Sequence, residues 1–188
     1  MERPTIVTKP LAIGLIGITG SGKTTLATAL AARGVVRLSV DEEVHRRHGR
    51  YGIDYPEHEY GERERPVVEE VLDELVDHLG AGRDVVLDHG LWLRHEREEL
   101  RRTVERAAGR LLLVYLPVGK PELLARLERR NRRDDANALT VTPSALDDFF
   151  DRFEPPEPDE PVLVYAGDPD AVLDQLARDT SPEGGAPR

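Results

Sequence analysis

Short runs of β-branched and leucine-rich residues recur at Leu11–Ile18, Val35–Val40, Val85–Leu87, Leu111–Leu116 and Val162–Tyr165, without the polar alternation of a half-exposed strand. Unbroken apolar runs of this length fit strands buried on both faces of a parallel sheet. Helical spacing fills the intervals. Val67, Val68, Val71, Leu72, Leu75, Val76 and Leu79 form a stripe opposite Glu69, Glu70, Asp73, Glu74 and Asp77, which predicts a helix with Pro66 in its first turn and Gly80 at its end. Leu123, Leu124 and Leu127 after Pro121 predict a second helix, and Leu146, Phe149, Phe150 and Phe153 after Thr142-Pro143 a third, stopped by Pro155-Pro156. The alternation of strand and helix predicts an α/β, doubly wound sheet of five parallel strands. The ends, residues 1–10 and 179–188, lack periodicity and read as flexible tails, leaving 11–178 as a single domain.

The length of 188 residues agrees with one domain. The apolar run at Leu11–Ile18 is interrupted by Gly14 and Gly17 and falls far short of the ~20 residues of a membrane span, and no signal-peptide cleavage pattern follows it. With no cysteine there is no disulfide framework, thiolate metal site or cysteine nucleophile, and a cytoplasmic location is expected. The net charge of −10 argues against binding nucleic acid or an anionic membrane and favours a small-molecule partner. Lysine occurs only at Lys9, Lys23 and Lys120, so the setting of each is informative.

Lys23 lies in Gly17-Ile18-Thr19-Gly20-Ser21-Gly22-Lys23-Thr24, which fits G-x-x-x-x-G-K-[ST], between a buried strand and the helical pattern of Thr24–Ala32. This is the context of a phosphate-binding loop (P-loop). The glycines let successive N–H groups converge on one anion, Lys23 neutralises β- and γ-phosphates, and Thr24 offers an oxygen to Mg²⁺. Gly17, Thr19, Gly20, Ser21, Gly22, Lys23, Thr24 and Thr25 are therefore candidate nucleotide contacts.

Two apolar runs end in acids, Leu38-Ser39-Val40-Asp41 and Val85-Val86-Leu87-Asp88, and ligands in such sheets bind beyond the carboxyl ends of strands. A hydrophobic run closing on Asp is similar to the Walker B element, whose acid serves Mg²⁺; helix N-capping is the plainer role for Asp41. Arg126, Arg129, Arg130, Arg132 and Arg133 face only Glu128 in their stretch, whereas acids dominate from Asp147 to Glu160. An arginine cluster in an acidic chain suits a lid clamping a transferring phosphoryl group; the competing reading is a solvated helix end.

Together these features resemble the P-loop kinases, in particular the zeta-toxin-like and chloramphenicol phosphotransferase-like group, over about Leu11 to Tyr165. The marks are the P-loop, Leu38-Ser39-Val40-Asp41, Leu87-Asp88-His89-Gly90-Leu91-Trp92 with Arg94 and Arg97, Arg129-Arg130-Asn131-Arg132-Arg133, and Phe149-Phe150-Asp151-Arg152-Phe153-Glu154-Pro155-Pro156. Only the P-loop is specific by itself. The resemblance implies the P-loop NTPase fold with strand order 2-3-1-4-5. That order sets Asp88 one strand and Asp41 two strands from the loop, with Asp88 at Mg²⁺ or the acceptor and Asp41 accepting a proton from the acceptor hydroxyl. It implies ATP and Mg²⁺ as cofactors, Arg130 and Arg133 on the transition-state charge, and Arg126 and Arg129 on the nucleotide. It also places Gly167-Asp168-Pro169 beside adenine.

The expected function is ATP-dependent phosphorylation of a hydroxyl on a small molecule such as an antibiotic, sugar or nucleoside-like metabolite. The alternatives are a nucleotide or polynucleotide 5′-hydroxyl kinase, and an ATPase switch acting on a protein. His89 and Trp92 are candidates for the acceptor pocket, as is the Tyr51, Tyr55 and Tyr60 segment. His45 and His48, among arginines and lacking a third ligand, read as a solvated helix face.

Overall fold

A computed structural model of the chain describes residues 9–131 and 143–179. In chain order the elements are β1 (Leu11–Ile16), α1 (Lys23–Ala31), β2 (Val36–Ser39), α2 (Val40–His48), a 3₁₀ turn (Glu57–Glu59), α3 (Tyr60–Gly80), β3 (Val85–Asp88), α4 (Arg94–Arg106), β4 (Arg110–Tyr115), α5 (Lys120–Asn131), α6 (Pro143–Arg152), β5 (Leu163–Val164) and α7 (Pro169–Asp179). The five strands form a parallel sheet in the order β2-β3-β1-β4-β5, the order that the resemblance implies.

All six residues of β1 are buried, because the strand is central and covered on both faces. Its side chains alternate between two cores, as strand geometry demands. Ala12 and Ile16 join α2, α3 and α4 on one face through Val44, Val67, Val71, Leu75, Leu100 and Val104. Leu11, Ile13 and Leu15 join α1 and α7 on the other through Leu26, Ala27, Leu30 and Val172. A third cluster of Ile18, Leu123, Leu127 and Leu146, with Phe149 and Phe150 against it, packs α5 and α6 over the loop that follows β1. Among the described residues no helix is long and apolar enough to cross a membrane.

Two helices depart from the apolar pattern. The helix expected to open at Pro66 begins at Tyr60, so Pro66 is interior. The earlier turn is supported by Glu59, which accepts from Arg63 Nη2 at 2.6 Å, and by Tyr51 packed edge-to-face on Tyr60. Helix α4 lies in a segment so charged that its apolar stripe is only Leu100 and Val104, with Arg97 and Thr103 completing the buried face.

Arg97 and Glu160, 1% and 6% exposed, form a two-pronged ion pair with both contacts at 2.7 Å. The remaining Arg97 nitrogen donates to the carbonyls of Trp92 and Glu154. This tie fastens the chain after α6 to the β3–α4 turn. Arg97→Met leaves Glu160 buried without its cation and is expected to destabilise the fold by about 3–5 kcal/mol, read from urea unfolding. Arg97→Met with Glu160→Met is expected to recover part of that loss.

Candidate active site

The P-loop joins β1 to α1 beneath the α5–α6 cluster. Gly20 and Gly22 hold φ of 87° and 104°, conformations that L side chains rarely adopt, and Gly22 caps α1. The Ser21 amide closes the turn onto the carbonyl of Ile18 at 3.0 Å. Lys23 Nζ donates to the carbonyls of Gly17 and Ile18 at 2.8 and 3.1 Å, so its ammonium is held inside the curl of the loop. Burial pulls its pKa down to about 8 against the opposing charges of Asp41 and Asp88. Thr24 and Thr25 stand exposed in the first turn of α1, and Thr19 is half-buried at the crest of the loop. Ser21 keeps its hydroxyl buried and without a protein hydrogen-bond partner, against a cavity of about 110 Å³ that reaches Leu116, Phe150 and Phe153.

Asp88 ends β3 beside the loop and is 4% exposed. Its Oδ1 accepts from Thr24 Oγ1 at 3.2 Å, and its Oδ2 accepts two nitrogens of Arg37 at 2.6 and 2.9 Å. Arg37, which also donates to Glu42 at 2.7 Å, is absent from the residues expected in the site. Its signal in the sequence is a guanidinium set between Val36 and Leu38 in a short, half-buried edge strand, a place that favours a carboxylate partner.

Asp41 lies in the first turn of α2, but Ser39 is the N-cap, accepting from the Glu42 amide at 3.4 Å. The capping role considered for Asp41 therefore belongs to Ser39. Asp41 Oδ1 instead accepts from the hydroxyl of Tyr60 at 2.8 Å. Glu64, one turn along α3, shares that phenol, and its pKa is pushed up to about 7 by burial and then by the Asp41 charge. Burial and both carboxylates drive the Tyr60 phenol far above its usual range, so it remains a donor. His89 Nδ1 stands 3.9 Å from Glu64, and burial holds the imidazole below its ordinary pKa. Gly90 is needed beside it: a Cβ there would lie 2.6 Å from Trp92 Nε1 and 3.4 Å from Lys23 Cε.

Of the arginine cluster, Arg126 meets the loop, donating to the carbonyl of Ser21 at 3.1 Å and to Glu122 at 2.6 Å. Arg129 is exposed, and its Nε donates to Ala125 one turn back on α5. The Arg130 side chain and the whole of Arg132 and Arg133 lie outside the described residues. Trp92 packs edge-to-face on Phe149, with Arg152 over its ring, at the base of α6. Tyr55 is buried against Tyr51 and His48 with Arg63 4.8 Å above its ring, so in this aromatic segment Tyr60 is the side chain that reaches Asp41.

A family described as AAA domain matches residues 13–156. The chain belongs to this AAA domain family. The chain is 28% identical over 175 residues to a gluconokinase from Gluconobacter oxydans (strain 621H), covering 90% of this chain and 91% of that protein. It is similar in structure to a gluconokinase from Sinorhizobium meliloti 1021, with TM-score 0.60 and 21% identity over 92% of this chain and 95% of the other. Kti12 from Chaetomium thermophilum, solved in complex with ADP-AlF3, matches with TM-score 0.63 and 20% identity over 91% of this chain and all (100%) of that one. These likenesses establish the fold, and the AAA domain carries a nucleotide-binding P-loop. Lys23→Ala is expected to weaken nucleotide binding by more than about tenfold in an equilibrium titration with a fluorescent ADP analogue, since the loop loses its phosphate-facing cation.

Proposed function

We propose that this protein is a kinase that transfers the γ-phosphoryl group of ATP to a hydroxyl of a small, sugar-like molecule. The observation that carries this reading is the separation of two carboxylates. Asp88 is closed by Arg37 and Thr24 on the phosphate side, and Asp41 is held by Tyr60 on the side of α2 and α3. With both Asp88 oxygens engaged by Thr24 and Arg37, Asp41 is the carboxylate left to receive the acceptor's proton. The gluconokinase relative and the sequence resemblance to chloramphenicol phosphotransferase-like kinases both support a hydroxyl acceptor.

In the proposed reaction the acceptor oxygen attacks the γ-phosphorus, the bond to the bridging oxygen of ADP breaks, and the acceptor's hydroxyl proton passes to Asp41. Lys23 and the loop amides hold the phosphates, Tyr60 fixes the aim of Asp41, and Arg126 braces the loop from α5. Thr24 and Asp88 fit Mg²⁺, because an exposed hydroxyl and a buried carboxylate converge within 3.2 Å at the loop's end. When bound, the ion supplies charge neutralisation at the phosphate oxygens. Arg129, Arg130 and Arg133 are assigned to the closing lid.

A screen of hydroxyl acceptors with ATP, following ADP release and product mass against a no-acceptor control, tests the reading. Acceptor-dependent release supports it, and hydrolysis indifferent to every acceptor replaces it with an ATPase. With a productive acceptor in hand, Asp41→Asn is expected to lower kcat by about 10²-fold or more while nucleotide affinity holds. An equal loss of nucleotide binding would move Asp41 to the phosphate side.

A further inference from the structure

The corner beside the P-loop is built from three segments, the first turn of α2 with Asp41, the first turns of α3 with Tyr60 and Glu64, and the β3–α4 turn with His89, and it borders Lys23 of the loop. Its groups are two carboxyls, a phenol whose pKa burial raises and an imidazole whose pKa burial lowers. Two further acids act on this corner: Asp88, closed by Arg37 and Thr24, and Glu96, which accepts from the Leu93 amide at the start of α4. Lys23 is the cation within the electrostatic reach of Asp41, and it is turned into the loop.

The arginines on these segments are closed by the chain's own acids. Arg37 is held by Asp88 and Glu42, Arg63 by Glu59, Arg94 by Glu98, Glu157 and Asp159, and Arg97 by Glu160. Arg65, one residue off the Glu64 face of α3, is exposed. The charge balance of the corner then shifts further when a nucleotide binds, because its phosphates engage Lys23 and bring negative charges of their own. Among the described residues no lysine or arginine forms an ion pair with Asp41 or Glu64, and the basic group beside Glu64 is His89 at 3.9 Å. An acceptor carrying a carboxylate meets repulsion there, and one carrying a protonated amine supplies the missing charge.

We propose that the acceptor is an amine-bearing polyol, an amino sugar or aminocyclitol, with Glu64 as the counter-ion that selects it and Asp41 directed at the hydroxyl. This rests on the phosphotransfer reading and narrows its substrate class. Binding of such an amine favours the ionised form of Glu64, whose carboxyl burial otherwise holds near neutrality.

The test uses the full chain with ATP and matched acceptors: glucosamine, glucose and gluconate on one frame, and an aminocyclitol with its hydroxyl counterpart on another. The amine member of a frame is expected to give at least about tenfold higher kcat/KM than its neutral partner, with the carboxylate member lowest. Glu64→Gln is expected to shrink the amine-to-neutral ratio by about tenfold, and Glu64→Asp to restore part of it. Preference for the neutral or carboxylate member overturns the proposal while leaving phosphotransfer intact. A ratio unmoved by Glu64→Gln, in protein that unfolds at the wild-type urea midpoint, overturns the role of Glu64. No acceptor-dependent ADP release across the panel sinks the phosphotransfer reading itself, and the proposal with it.

Discussion

A carboxylate buried at the end of a parallel strand is the constraint around which the site is arranged. Asp88 cannot leave water without partners, because an isolated charge in that position costs several kcal/mol. Arg37 supplies two nitrogens from the neighbouring strand and Thr24 a hydroxyl from the head of α1. The register that sets Ser39 beside Asp88, two residues beyond the pairing of Arg37 with Val86, places that guanidinium on the same face as the carboxylate. The P-loop, the last turn of β3 and the edge strand are thus tied at one point, and the position of α2, which begins directly after Ser39, follows from it.

From that point the site has two differently prepared sides. On the loop side, Lys23 is held by the carbonyls of Gly17 and Ile18, and the apolar contacts of Ile18, Leu123 and Leu127 keep α5 over the loop. On the other side, side chains from α2, α3 and the β3–α4 turn converge without forming strong ion pairs with one another. Tyr60 is the link between them, because its hydroxyl donates to Asp41 with Glu64 one turn along the same helix. Gly90 lets the two sides approach, since any side chain there would strike Trp92.

What was legible in the sequence follows from how far apart the cooperating residues lie. The P-loop is a local pattern, so its eight residues announce both structure and chemistry. The strands were readable because each is short and mostly apolar, whereas their order came from the resemblance, since no single run states its neighbours. Arg37 and Asp88 are separated by 51 positions, and their partnership depends on register that no local pattern contains. Tyr60 was picked out with the aromatic segment around it, but Glu64 was hidden by a sound local argument: proline favours a helix start, so Pro66 drew the boundary six residues late. The spacing of Glu59 with Arg63 and of Tyr60 with Glu64 carried the correcting signal. Helix α4 escaped because half of what it buries is an arginine and a threonine rather than an apolar stripe. Arg126 was identified from charge segregation alone, and the structure adds the reason for its place, the carbonyls of the loop beneath it.

The tie between Arg97 and Glu160 has a thermal consequence. The cost of stripping water from buried ions falls as temperature rises, while apolar burial gains little more, so a sequestered guanidinium–carboxylate fork supports a larger share of cohesion in a warm protein than in a cool one. This fork closes the return of the chain from α6 onto the turn that carries His89, Gly90 and Trp92. The seam between α6 and the turn therefore takes a growing share of the local cohesion as temperature rises, a share that a leucine in place of the buried arginine would not bring.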